Sequence, residues 1–68
     1  MIQVNLLRGV FAREGKTQRE VAEAIGITQK TLREKLRRGV FGSDEIEAMI
    51  QFLNIDNPME IFFANKVT

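Results

Sequence analysis

The chain has 68 residues, 44% of them apolar, and its ten basic and nine acidic side chains leave a net charge of +1. That length allows one domain with a thin stability margin; with no cysteine and no histidine, disulfides, thiol or imidazole catalysis and the usual zinc ligands are excluded, so no metal, no cofactor and no enzyme activity are expected. No apolar run approaches the roughly 20 residues of a bilayer span and the first residues lack a secretion signal, so the expectation is a cytoplasmic protein without a membrane partner.

The first predicted helix covers residues 5–14. Val4, Leu7 and Phe11 recur at helical spacing, with Leu6 and Val10 beside them. Gly9 weakens this helix by about 1 kcal/mol relative to alanine, which close helix packing would explain. Gly15 ends it. The second helix runs from residue 17 to 25. Thr17 and Glu20 have the capping-box spacing, a hydroxyl at the N-cap and a carboxylate three residues on. Val21, Ala22 and Ile25 form its buried stripe, and Gly26 supplies the positive φ of a tight turn. The third helix, residues 28–38, starts on Thr28 as N-cap. Leu32 and Leu36, one turn apart, face the core. Gly39 and Gly42 bracket a loop whose Phe41 tucks back under the domain. The fourth helix, residues 43–53, is expected to be capped by Ser43, with Asp44 and Glu45 at the positive end of its dipole. Ile46, Met49, Ile50 and Leu53 make its apolar stripe. The last helix, about residues 57–64, opens on Asn57 and Pro58, with Glu60 at N3. Met59, Phe62 and Phe63 share one of its faces. Only residues 2–4 alternate as a strand would, so the expectation is an all-α fold of five helices in a single domain, 1–68.

Charge is unevenly distributed. Residues 1–42 carry nine basic and four acidic side chains, a balance of +5; residues 43–68 carry one and five, a balance of −4. Such asymmetry suits one face that meets a polyanion and another held away from it.

The informative block lies between Gln18 and Leu32. Two helices meet at Gly26-Ile27, Ala22 leaves room for the second to cross closely, and Val21, Ile25, Ile27 and Leu32 pin the crossing. On the third helix, Lys30, Glu34 and Arg37 lie opposite the leucines, with Thr31 and Arg38 flanking and Gln29 in the first turn. A helix fits the major groove of B-DNA, and its N-terminal side chains reach base edges. Gln29 suits adenine N6/N7 and Lys30 suits guanine O6/N7, while Thr31 can touch thymine or a base edge. The Glu34 carboxylate either accepts from cytosine N4 or pairs with Lys30 or Arg38. Gln29, Lys30, Thr31 and Glu34 are therefore the expected base-reading set. Phosphate contacts are expected from the start of the second helix, at Lys16, Thr17, Gln18 and Arg19, and from Arg33, Arg37 and Arg38. Lys35 is assigned to solvent or to a snorkelling role.

The block from Gln18 to Leu32 resembles the helix-turn-helix of the Cro and lambda-repressor-like family, here over residues 17–38. The wider order, with Gly39, Phe41, the Ser43 helix and the Asn57-Pro58-Met59-Glu60-Ile61-Phe62-Phe63 ending, resembles small phage and prophage regulators of Gram-positive bacteria. The resemblance implies a five-helix DNA-binding domain acting as a transcriptional repressor on a double-stranded operator. It also implies that Gln18 contacts a phosphate and buttresses Gln29. One departure stands out: where many members place the second apolar residue three positions after the first, this chain has Lys35, and Leu36 follows at four.

Phe52, Met59, Phe62 and Phe63 leave an aromatic and apolar surplus, mostly core and otherwise a self-association surface. A homodimer would set two recognition helices about 34–36 Å apart, one turn of DNA. The alternative function is an antirepressor or modulator that uses the same domain to bind a partner repressor protein.

Overall fold

A computed structural model describes residues 2–62. Five helices follow in order: α1 (Val4–Arg13), α2 (Gln18–Ile25), α3 (Gln29–Arg38), α4 (Ser43–Phe52) and α5 (Pro58–Phe62). No strand occurs among the described residues, whose regular structure is all-helical as expected. No described helix is long and apolar enough to cross a membrane.

The helix ends follow the local chemistry. The Thr17 hydroxyl accepts from the Glu20 N–H at 3.1 Å, and the Thr17 N–H donates to Glu20 Oε1 at 2.8 Å, completing the capping box. The Thr28 hydroxyl accepts from the Thr31 N–H at 3.1 Å and starts α3. Gly26 closes α2 at φ +81° and Gly39 closes α3 at φ +70°, a region where a Cβ is strained. Beyond Gly26, the Ile27 N–H reaches back to the Ala22 carbonyl at 2.9 Å, so the turn between α2 and α3 satisfies its own backbone. At α4 the expectation is corrected by one residue. Gly42 is the N-cap and Ser43 is already helical; lacking a side chain, Gly42 makes only half of a box, its N–H donating to Glu45 Oε1 at 2.8 Å.

One apolar core joins all five helices. Leu7, Val10 and Phe11 from α1, Val21 and Ala22 from α2, Leu32 and Leu36 from α3, Met49 from α4 and Ile61 and Phe62 from α5 are buried, together with Ile2, Phe41, Leu53 and Ile55 outside the helices. Phe41 does fold under the domain, at 8% exposure. α2 packs on both α3 and α4, and α5 packs on α1.

Three sequence readings are corrected here. Leu6 does not join the α1 stripe and is 44% exposed. Gly9 is exposed, and a Cβ built there would have no neighbour within 4 Å, so close packing does not account for it. On α5, Met59 points outward at 68% exposure, and Ile61 takes the inward place beside Phe62. The N-terminal segment meets α5 at this point: the Gln3 N–H donates to the Ile61 carbonyl at 2.7 Å, and Ile2 is part of the same core. The part of the expected last helix beyond residue 62 lies outside the described residues.

Candidate nucleic-acid interface

The burial of α3 is one-sided. Leu32 and Leu36 are exposed by 0% and 1%, which stabilises the packed helix by about 1.5–3 kcal/mol per side chain. Helical geometry then turns the opposite side of α3 outward. Gln29, Lys30, Thr31, Arg33, Glu34, Arg37 and Arg38 are all exposed. The whole predicted base-reading set, Gln29, Lys30, Thr31 and Glu34, therefore lies on one helix and at its surface.

The cations of this helix differ in how they are held. Among the described residues, Lys30, Arg33 and Arg38 make no ion pair. Arg37 donates from Nη2 to Glu34 Oε1 at 2.7 Å. The sequence placed the partner of Glu34 at Lys30 or Arg38; the structure places it at Arg37, three residues on. The hydrogen bond from Arg37 and its charge, with a smaller contribution from Arg38, hold the Glu34 carboxyl below its ordinary pKa. The Thr31 hydroxyl accepts from the Thr28 hydroxyl at 2.9 Å, leaving its own proton for an acceptor.

Lys35 turns the other way. It is half-buried, and its ammonium reaches Glu45 Oε1 at 3.3 Å. The same oxygen accepts from the Gly42 N–H, so one carboxylate ties α3 to the first turn of α4. This accounts for the departure at position 35: the Lys35 stem lies along the domain, its charge is met by Glu45, and Leu36 does the burying. A pair ten residues apart across a loop carries no periodic signal, so the sequence did not reveal it.

The start of α2 supplies the second group of candidates. The N–H groups of Gln18 and Arg19 have no intrahelical partner and lie at the positive end of the helix dipole. Glu20, engaged in the cap, places its carboxylate beside them. The backbone hydrogen bond from Thr17, then the Thr17 hydroxyl and the Lys16 charge, act against desolvation and hold Glu20 below its ordinary pKa. Arg19 extends toward Glu23 at 3.7 Å with both side chains largely exposed, a pairing that contributes little. Gln18 is half-buried, and no hydrogen bond joins it to Gln29, so the implied buttress is not formed in this structure. Lys16 is half-buried with its ammonium 5.1 Å from the centre of the Phe52 ring.

That contact also bears on the proposed self-association surface. Phe52 is half-buried against the core and faces Lys16. Phe62 is a core residue at 3% exposure and so offers no contact surface, which corrects its assignment. Phe63 lies outside the described residues. Of the three that are described, only Met59 is exposed. A separate shallow groove of about 530 Å³ lies along α4, lined by Phe41, Ser43, Ile46, Glu47, Ile50 and Pro58.

An asymmetric helical domain with one basic helix face is thus defined by its own geometry. No protein-family model, curated protein or solved structure matches the chain.

Proposed function

We propose that this chain is a sequence-specific double-stranded DNA-binding protein of the helix-turn-helix type, a phage-type transcriptional repressor that places α3 in the major groove. The observation that carries this reading is the two-sidedness of α3: its leucines are fully buried, while Gln29, Thr31 and the three cations Lys30, Arg33 and Arg38, which make no ion pair among the described residues, stand outside. A protruding helix with amide, ammonium and hydroxyl groups in its first turn matches the donor and acceptor pattern of the major groove. Gln29 and Lys30 read bases, Thr31 adds a donor, and Glu34 an acceptor. Arg33 and Arg38, with the free N–H groups of Gln18 and Arg19 and the nearby Lys16 and Thr17, meet phosphates on the two sides of the groove.

A lone domain of this size gains affinity by binding two half-sites, so a homodimer on a palindrome is the expected working form. Selection of bound sequences from a random duplex pool tests the proposal. The expected result is a short, palindromic consensus bound with an affinity that falls steeply with salt. Recovery of no consensus, with affinity indifferent to salt, refutes it.

The second reading, an antirepressor or modulator that binds a partner repressor, draws on the other side of the domain. Residues 43–62 carry Asp44, Glu45, Glu47, Asp56 and Glu60 and no cation, and one of these acids, Glu47, lines the groove along α4. Its mark would be a defined protein complex together with weak, sequence-blind DNA binding.

A further inference from the structure

Arg37 was expected among the phosphate contacts, but its geometry gives it another partner. On α3 the cations Lys30, Arg33 and Arg38 make no ion pair among the described residues, and Lys35 is turned to Glu45. Arg37 alone bonds an acid on its own helix, and at 2.7 Å the contact has the length of a charge-assisted hydrogen bond. Glu34 Oε1 is thereby occupied, while Oε2 has no hydrogen-bond partner among the described residues. Glu34 sits between the buried leucines on the exposed arc, one turn after Lys30.

An ionised carboxylate only accepts hydrogen bonds. In the major groove guanine presents N7 and O6, both acceptors, and thymine presents O4 and a methyl group. Adenine offers the N6 amine but flanks it with the N7 acceptor. Cytosine offers its N4 amine with no acceptor beside it on the same base. A bare carboxylate among phosphates would also oppose binding, a cost that a neighbouring guanidinium removes.

From this we propose that Arg37 is a positioning residue: it holds one oxygen of Glu34 so that the other meets the N4 amine of a cytosine, and it is not a phosphate contact. The proposal rests on the reading of α3 as the helix that enters the groove, and it names the base class which that helix selects at one position.

The test uses the full chain and the duplex recovered from a random pool, together with duplexes carrying each of the other three base pairs at every position. Binding is followed by fluorescence anisotropy over a range of salt concentrations for the wild type, Arg37→Met and Glu34→Gln. Both side chains are exposed, so both variants should fold. The wild type should prefer cytosine at one position by roughly tenfold. Arg37→Met should lose most of that preference at that position only, and keep the wild-type salt slope. Glu34→Gln should lose it as well and move toward adenine, which an amide pairs through N6 and N7. A salt slope lowered by about 0.9 in Arg37→Met, the mark of one lost phosphate contact, overturns the proposal, and so does an unchanged cytosine preference. A wild type with no sequence preference refutes the DNA reading itself, before any variant is compared.

Discussion

Gly9 offers a direct quantitative test of the packing around α1. It lies in the middle of the ten-residue α1, is exposed, and has open space where a Cβ would stand. Its backbone is not in the left-handed region, since only Gly15, Gly26 and Gly39 have positive φ among the described glycines. Gly9→Ala therefore introduces no clash and no strain. It removes the helix penalty of glycine, about 0.5–1 kcal/mol. In a domain of 60–100 residues 1 kcal/mol moves Tm by about 4–8 °C, so the expected rise is roughly 2–8 °C. Gly26→Ala is the matched opposite. At φ +81° a side chain is strained, and the loss should be about 1 kcal/mol. Because Gly26 sets the turn between α2 and α3, its replacement should also weaken duplex binding, which Gly9→Ala should leave alone. Thermal melts followed by far-UV circular dichroism decide the matter. A Tm that falls or stays fixed in Gly9→Ala would refute the reasoning, because it would mean that the glycine is held by a contact the fold does not contain.

Leu32→Ala should cost about 2–5 kcal/mol, a large share of the total for a domain this small, and denaturant unfolding will show it as a lower midpoint. Glu20 has a lowered pKa in the fold, so its contribution is complete above its ordinary pKa of 4.5 and is lost as pH falls through the lower folded value. Denaturant midpoints measured down the acid limb should drop below about pH 4.5, and Glu20→Gln should flatten the drop; an identical acid limb in both proteins would contradict the cap. Gln29→Ala should relax preference at one base step and cost roughly 1–3 kcal/mol on the selected duplex. Arg38→Ala should weaken all duplexes alike and lower the salt slope by about 0.9, whereas Lys35→Met, turned toward Glu45, should leave that slope unchanged.

Much of the fold was legible because it is written locally. Thr17 with Glu20, Thr28, Gly26 and Gly39 fix helix ends by chemistry that acts within four residues, and each reading agrees with the structure. Leu32 and Leu36 set the orientation of α3 by spacing alone, and that orientation decides which side chains protrude. What escaped the sequence depends on contacts between distant segments. Ile61, not Met59, faces the core beside Phe62, where the N-terminal segment also meets α5 through the Gln3 N–H and the Ile61 carbonyl. The Asn54 φ of +52° ends α4 in a conformation glycine usually fills, and its side-chain amide reaches Glu14 at 3.5 Å, 40 residues away. The charges on the candidate face were placed correctly as exposed, but their pairing was not. Glu34 chose Arg37 over Lys30 and Arg38, a choice among neighbours at helical spacing that rotamers decide and composition does not.

The central claim is that α3 meets the duplex with its outer face. Amide chemical shifts recorded while the selected duplex is added to the labelled protein map that face residue by residue. The account predicts the largest changes at residues 28–38 and at Gln18 and Arg19, with α4 and α5 nearly still. Changes concentrated along the groove of Ile46, Ile50 and Pro58, with Lys30 and Thr31 unmoved, would contradict it.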